Sequence, residues 1–208
     1  PGSFDYEEIK EEIRTFAEAV KNSVSNVEKN DKGEILRNTE SCINSENIEA
    51  FFQREIVLCE EALKQAKSIG DTPVALDYLY HPRPLGLAKL LLTHDFNVTT
   101  TYLDSISAEE KEAFDWLKTY CPNLELRATI HPKMRVLSRE NEGKILAIGQ
   151  KAAWFTGSKN FVNMVQGGGL WGFDGIRRTA EMMTEAFLEE KDTEDLVVRK
   201  GWGCESCI

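Results

Sequence analysis

The sequence predicts an α/β fold, a largely parallel sheet with flanking helices, preceded by two N-terminal helices. From Thr72 onward, short β-branched and apolar runs alternate with helix-type patterns. That alternation marks strand–helix–strand units whose parallel sheet is covered on both faces. Before Thr72 the apolar residues recur at helical spacing instead. The chain has 208 residues, 41% hydrophobic and 29% charged, enough for one good-sized core with an appendage.

Asp5 can cap the first helix, with Glu8 three residues on completing a capping-box pattern. Ile9, Ile13, Phe16, Val20 and Val24 then form one apolar stripe. Residues 25–44 are polar, with a turn signal at Asp31-Lys32-Gly33. A second helix places Ile48, Phe52, Ile56, Cys59, Leu63 and Ala66 on one face and stops near Gly70. Strands are expected at 74–80, 97–103, 124–130, 145–149 and 161–165. Helices are expected at 85–92, from a Ser107…Glu110 capping box through Leu117, at 132–139, at 151–155 and at 176–188. The resulting boundaries are a helical segment at 1–70, the α/β unit at 71–195, and a cysteine-containing tail at 196–208.

A formal charge of −10 argues against nucleic acid and anionic membranes as partners, since both call for a basic patch. No apolar run approaches the roughly 20 residues that span a bilayer. The opening Pro-Gly-Ser-Phe-Asp leads straight into charged sequence, without a signal peptide or an initiator Met, which leaves open whether further sequence precedes it. Cys42, Cys59, Cys121, Cys204 and Cys207 are odd in number and scattered, which suits a reducing cytoplasm better than a disulfide framework.

Ligands of open parallel sheets bind at the carboxyl ends of the strands. The residues expected at that edge are His81 and Arg83, Asp104, His131 and Lys133, Gln150 and Lys151, and Gln166-Gly167-Gly168-Gly169. Two histidines and three cations there suggest a surface for an anionic ligand or cofactor; loop residues of these types are otherwise simply solvated. His94, late in a helix, reads as a helix-terminus residue. Five glycines between Val165 and Gly175 allow backbone to approach a ligand closely and lead into a helix, with Asp174 as a candidate N-cap. This run matches neither the dinucleotide glycine fingerprint nor a P-loop. Cys204-x-x-Cys207 is a half-site for iron–sulfur or zinc, a redox pair, a site completed by another subunit, or an incidental pair.

Residues from about 55 to 190 resemble the last, Rossmann-like domain of nitrogenase component 1-type proteins. The resemblance rests on Gly172-Phe-Asp-Gly175 followed by a helix, on the strand–helix–strand of 74–103, and on Ile145-Leu-Ala-Ile-Gly149 with the helix and Phe155-Thr-Gly157 after it. It implies the C-terminal domain of a nitrogenase-like oxidoreductase, lining an iron–sulfur cluster or substrate site between domains. Electrons would come from an ATP-driven reductase partner, and a nitrogenase-like partner subunit would complete a homo- or hetero-oligomer. The lining residues would be His81, Arg83, His131, Lys133, Gln166, Gly167, Gly168 and Gly169, with Cys204 and Cys207 as candidate metal ligands. Any cluster would be shared with a missing domain or a partner, and the isolated chain would be inactive. The family's molybdenum-holding His falls at Val162, so a molybdenum–iron cofactor is not expected. The terminal cysteine pair lies outside the family pattern. The alternatives are a non-redox module binding an anionic small molecule, a cofactor-assembly scaffold, or a docking role in which Phe16, Val20, Phe51 and Phe52 form an interface.

Overall fold

The computed structural model describes residues 2–27, 45–137, 139, 143–164 and 170–199. Five parallel strands form one sheet: β1 (Val74–Asp77), β2 (Val98–Leu103), β3 (Glu125–Ala128), β4 (Leu146–Ile148) and β5 (Asn160–Val162). Their order is β3-β2-β1-β4-β5. The chain builds outward from β1 in one direction, returns, and builds outward in the other, leaving a switch point between β1 and β4. The predicted α/β fold, with two helices ahead of the sheet, is the fold observed.

Register fixes the two faces of the sheet. Val74, Leu76, Leu103, Leu146, Ile148 and Val162 point to one face. There lie α3 (Pro84–Thr93), α4 (Lys111–Tyr120) and α6 (Gly172–Leu188). Ala75, Tyr102, Ala147 and Phe161 point to the other, beneath α5 (Gln150–Thr156). The N-terminal helices α1 (Tyr6–Val27) and α2 (Ser45–Ala66) stack on the outside of α6. Ile9, Phe52, Cys59 and Leu63 join the same core as Phe173 and Ile176.

The α2 stripe is buried as the spacing predicts, and burial of Phe52 and Leu63 stabilises by roughly 1.5–3 kcal/mol each. Phe52 is therefore core rather than interface. In the α1 stripe Ile9 is inside, whereas Phe16 is 71% exposed. Arg177 of α6 pairs with Glu55 of α2, which Arg54 also contacts at 3.0 Å. Burial works to raise the Glu55 carboxyl, but these two guanidinium groups outweigh it and hold the pKa below the usual value.

Several boundaries move for local reasons. Asp5 does cap α1, accepting the N–H groups of Glu7 and Glu8 at 2.9 and 3.4 Å, while Glu8 itself reaches Arg83. The expected strand 74–80 ends at Asp77, because its carboxylate accepts the N–H groups of Leu79 and Tyr80 at 2.8 and 3.0 Å and turns the chain out of the sheet. The Ser107 capping box does not form: Ser107 makes no capping bond, and Glu110 turns to α3 instead. Residues 132–136 form a 3-10 turn rather than an α-helix. The last helix begins at Gly172 rather than 176, so Trp171 is its N-cap, and Asp174 pairs with Arg177 at 3.2 Å instead of capping. Among the described residues, no helix is long and apolar enough to cross a membrane.

Asn160, buried on β5, fastens the sheet to the end of α6. Its amide donates to the carbonyls of Ala186, Phe187 and Glu189 at 3.1, 3.1 and 2.9 Å. Asn160→Ala strips these buried acceptors of their donor and is expected to lower the unfolding free energy by roughly 1–3 kcal/mol in chemical denaturation. Asn160→Asp, which sets a carboxylate against three carbonyls, is expected to cost more.

Candidate functional site at the carboxyl edge of the sheet

Four adjacent strands deliver one side chain each to a closed polar ring. Tyr78 follows β1, Asp104 follows β2, Thr129 follows β3, and Lys151 lies in the first turn of α5 after β4. The Lys151 ammonium donates to Tyr78 Oη and, at 3.3 Å, to Thr129 Oγ1. Thr129 Oγ1 donates to Asp104 Oδ1 at 2.6 Å, and Tyr78 also hydrogen-bonds Asp104. The backbone N–H of Ile130 adds a bond to the same oxygen at 3.2 Å. Lys151 also lies over the Tyr78 ring, 4.6 Å from its centroid. Partial burial works to raise the Asp104 carboxyl, but the bonds from Thr129, Tyr78 and Ile130 and the charge of Lys151 hold it below its ordinary value. The ring presents a cation, two hydroxyls and a carboxylate at the switch point, where Rossmann-like sheets receive their ligands.

Beneath the ring lies Asp77, fully buried. One oxygen takes the turn at 79–80; the other accepts the N–H of Ala152 at 2.7 Å. Burial pushes its pKa up to about 6, against the pull of these three N–H groups and Lys151. Gly149 makes this packing feasible. Its φ is +110°, and a Cβ there would lie 2.3 Å from the Asp77 carboxylate. The start of α3 is filled in the same way: Glu110 accepts the N–H groups of Leu85 and Gly86 at 2.6 and 3.1 Å. In a dinucleotide-binding sheet the N–H groups opening the first helix cradle the pyrophosphate. Here the protein's own carboxylate occupies them.

The residues expected to face a ligand fall in different surroundings. His81 is 1% exposed, with its ring 4.6 Å from Phe4 and 6.2 Å from Trp171. Its Nδ1 accepts the N–H of Arg83 at 3.1 Å, and the ring also hydrogen-bonds the backbone of Leu170. Burial, aided by the Arg83 charge, pushes its pKa down to about 4, so it is neutral at pH 7. Arg83 pairs with Glu8 at 3.1 Å. His131 caps the turn at Pro132–Val136, accepting the N–H of Lys133 at 3.2 Å, and both are exposed. Gln150 donates to Asn163 at 2.7 Å, and its buried Oε1 has no partner among the described residues. Gln166, Gly167, Gly168, Gly169, Cys204 and Cys207 lie outside the described residues.

Gly172-Phe-Asp-Gly175 opens α6; Gly172, Phe173 and Gly175 are buried, and Asp174 is exposed and paired with Arg177. Phe173 sits among the rings of Tyr6, Phe51 and Phe52. Gly175 lies so near Leu170 that a Cβ would come within 2.6 Å of its carbonyl carbon. Among the described residues, no group of three His, Cys, Asp or Glu side chains could hold a metal ion. The Cys59 thiol, pushed by burial up to about 12, donates to the Phe173 carbonyl at 3.2 Å. The described residues therefore do not fit an iron–sulfur cluster, which needs thiolates.

Sequence reasoning places Asp104 and Lys151 at this edge but overlooks Tyr78 and Thr129. Tyr78 reads as strand interior and Thr129 as part of an over-long β3. The Asp77 turn signal after an apolar run was the available clue. No family model matches the chain, and no curated protein matches it.

Neutral, buried His81 makes a pH-dependent contribution with a definite sign. The unfolded chain protonates this imidazole near pH 6.5, the folded one near 4, so the contribution is intact above 6.5 and lost as pH falls toward 4. The loss amounts to at most about 3 kcal/mol. Asp77, with its folded pKa raised from 3.8 to about 6, works oppositely, gaining stability for the fold as pH falls through the same range. A His81→Gln variant separates the two. Its stability deficit relative to wild type is expected to shrink on acidification from pH 7 to 4 in denaturant titrations, while a constant deficit would mean that His81 does not titrate this way.

Proposed function

We propose that this chain is a Rossmann-like lobe of a cytoplasmic nitrogenase component 1-type oxidoreductase, and that its carboxyl edge around Lys151 lines the substrate or cofactor site. The observation that carries the proposal is the ring of Lys151, Tyr78, Thr129 and Asp104, gathered from four strand ends at the switch point. The strand order is that of a Rossmann-like sheet, as the family reading requires, and the family itself rests on the sequence resemblance. On this reading the lobe binds and orients, with Lys151 meeting negative charge. Electrons come from an ATP-dependent reductase, and a partner subunit or further domain closes the site. Cys204 and Cys207 are the ligands this chain would give to a shared iron–sulfur cluster.

A second reading, a non-redox module for an anionic small molecule, is favoured by the completeness of the Lys151 ring within this chain. The self-capped starts of α3 and α5 steer either reading away from dinucleotides.

Anaerobic iron and acid-labile sulfide analysis, with a visible spectrum, separates the readings. The oxidoreductase reading expects iron and sulfide on the purified chain and their loss in Cys204→Ser/Cys207→Ser. Metal-free protein in both would place the metal chemistry in a missing domain or partner, leaving this chain a ligand-binding lobe. Inorganic phosphate then probes the edge: amide shifts at residues 129–131 and 150–152 are expected to saturate in wild type and to need about tenfold more phosphate in Lys151→Met. Equal titrations would remove Lys151 from the site.

A further inference from the structure

The two edges of the sheet are finished differently. Along β5, the segment after α6 takes the outward carbonyls. Lys191 donates its backbone N–H to Lys159 at 2.8 Å and its ammonium to Phe161 at 3.2 Å, while Thr193 Oγ1 donates to Ser158 at 2.6 Å. No further strand can add there. At the opposite edge, β3 has a strand neighbour on one side only among the described residues. Proteins usually blunt such an edge with lysine, proline or a bulge. The sequence of β3, Glu-Leu-Arg-Ala, has no lysine, proline or bulge; it is short and carries one charge of each sign, so it resists indiscriminate pairing but admits a partner whose charges are complementary.

We infer that β3 pairs antiparallel with β3 of a second copy of this chain, about a two-fold axis at Leu126, giving one continuous ten-stranded sheet. The charge pattern selects this geometry. Glu125 and Arg127 share the face opposite α4, and Leu126 lies on the α4 side. A two-fold at Leu126 sets Glu125 of each copy against Arg127 of the other, on the same face. In-register parallel pairing would set like charges together. Within one copy, Arg127 Nε donates to Glu125 Oε2 at 2.8 Å along the exposed strand, so the same bond can be exchanged across the edge. An isologous contact requires this self-complementarity.

The α4 side supplies the apolar part. Leu126, 39% exposed, closes a groove of about 250 Å³ formed with Phe114, Leu117, Cys121 and Leu124. On the two-fold, the grooves of both copies meet and the paired Leu126 side chains cover each other. Asymmetry between the edges accounts for why association stops at two: β5 cannot extend the sheet further.

The proposal deepens the oligomeric part of the proposed function but does not depend on the Lys151 site, and its test reads mass rather than metal or ligand. Light scattering and sedimentation are expected to give a dimer for the wild-type chain. Arg127→Glu, which sets two carboxylates against each other at each cross-strand pair, is expected to give monomers with an unchanged circular dichroism spectrum. Glu125→Arg/Arg127→Glu, which restores opposite charges across the two-fold, is expected to recover the dimer. A wild-type monomer, a dimeric Arg127→Glu, or a double variant that stays monomeric would each overturn the proposal. If Arg127→Glu does not fold, Leu126→Cys provides the check. Mild oxidation should join residue 126 to residue 126 of the second copy, mapped by peptide mass, and failure to form that bond would overturn the pairing.

Discussion

A buried carboxylate sits where the sheet changes direction, and much of the molecule's local order follows from satisfying it. Asp77 ends β1 because one of its oxygens takes the N–H groups of Leu79 and Tyr80; its other oxygen draws in the start of α5 through Ala152. An ionised carboxylate in a dry interior costs several kcal/mol unless hydrogen bonds compensate. Three backbone donors and the nearby Lys151 charge offset part of that cost, and burial still holds the pKa up at about 6. Gly149 is the geometric counterpart, since any side chain there would collide with the carboxylate. The same turn carries Tyr78 out over the edge, and the same helix start carries Lys151 to meet it. Position in the candidate site is thus a consequence of how one acid is neutralised.

A second theme is that helix starts are filled from within. Glu110 at α3 and Asp77 at α5 occupy N–H groups that other sheets of this topology offer to phosphate. What remains for a ligand is a side-chain surface of hydroxyls, a carboxylate and a cation rather than a backbone cradle. Such a surface suits recognition by a few directed contacts, with the closing wall supplied by another element. On the other side of β1, His81 is sealed under Phe4 and Trp171 and kept neutral. There the N-terminal segment acts as part of the core, binding α1 to the strand-end loop through Glu8 and Arg83.

The N-terminal helices are likewise part of the sheet's packing. Phe52, Cys59 and Leu63 belong to the core shared with α6, and Glu55 holds Arg177 across the same seam. Phe173 of the Gly-Phe-Asp-Gly opening reaches into this aromatic cluster. A motif that reads as ligand-facing in sequence therefore has a packing reason for Phe173 and Gly175.

Periodicity alone determined the fold class, the five strands, the two leading helices and the buried face of α2, because burying an apolar face imposes periods near two or near 3.6 whatever the partners are. It also placed Asp104 and Lys151 at the candidate edge, since side chains that follow parallel strands have to emerge there. Tertiary structure decided the rest. Sequence spacing cannot tell that Glu110 caps a helix 24 residues upstream instead of its own, nor that His81 is walled in by Phe4, far away in the chain. Strand order alone brings Tyr78, Asp104, Thr129 and Lys151 within hydrogen-bonding reach, because each lies on a different strand end and only the sheet makes those ends neighbours.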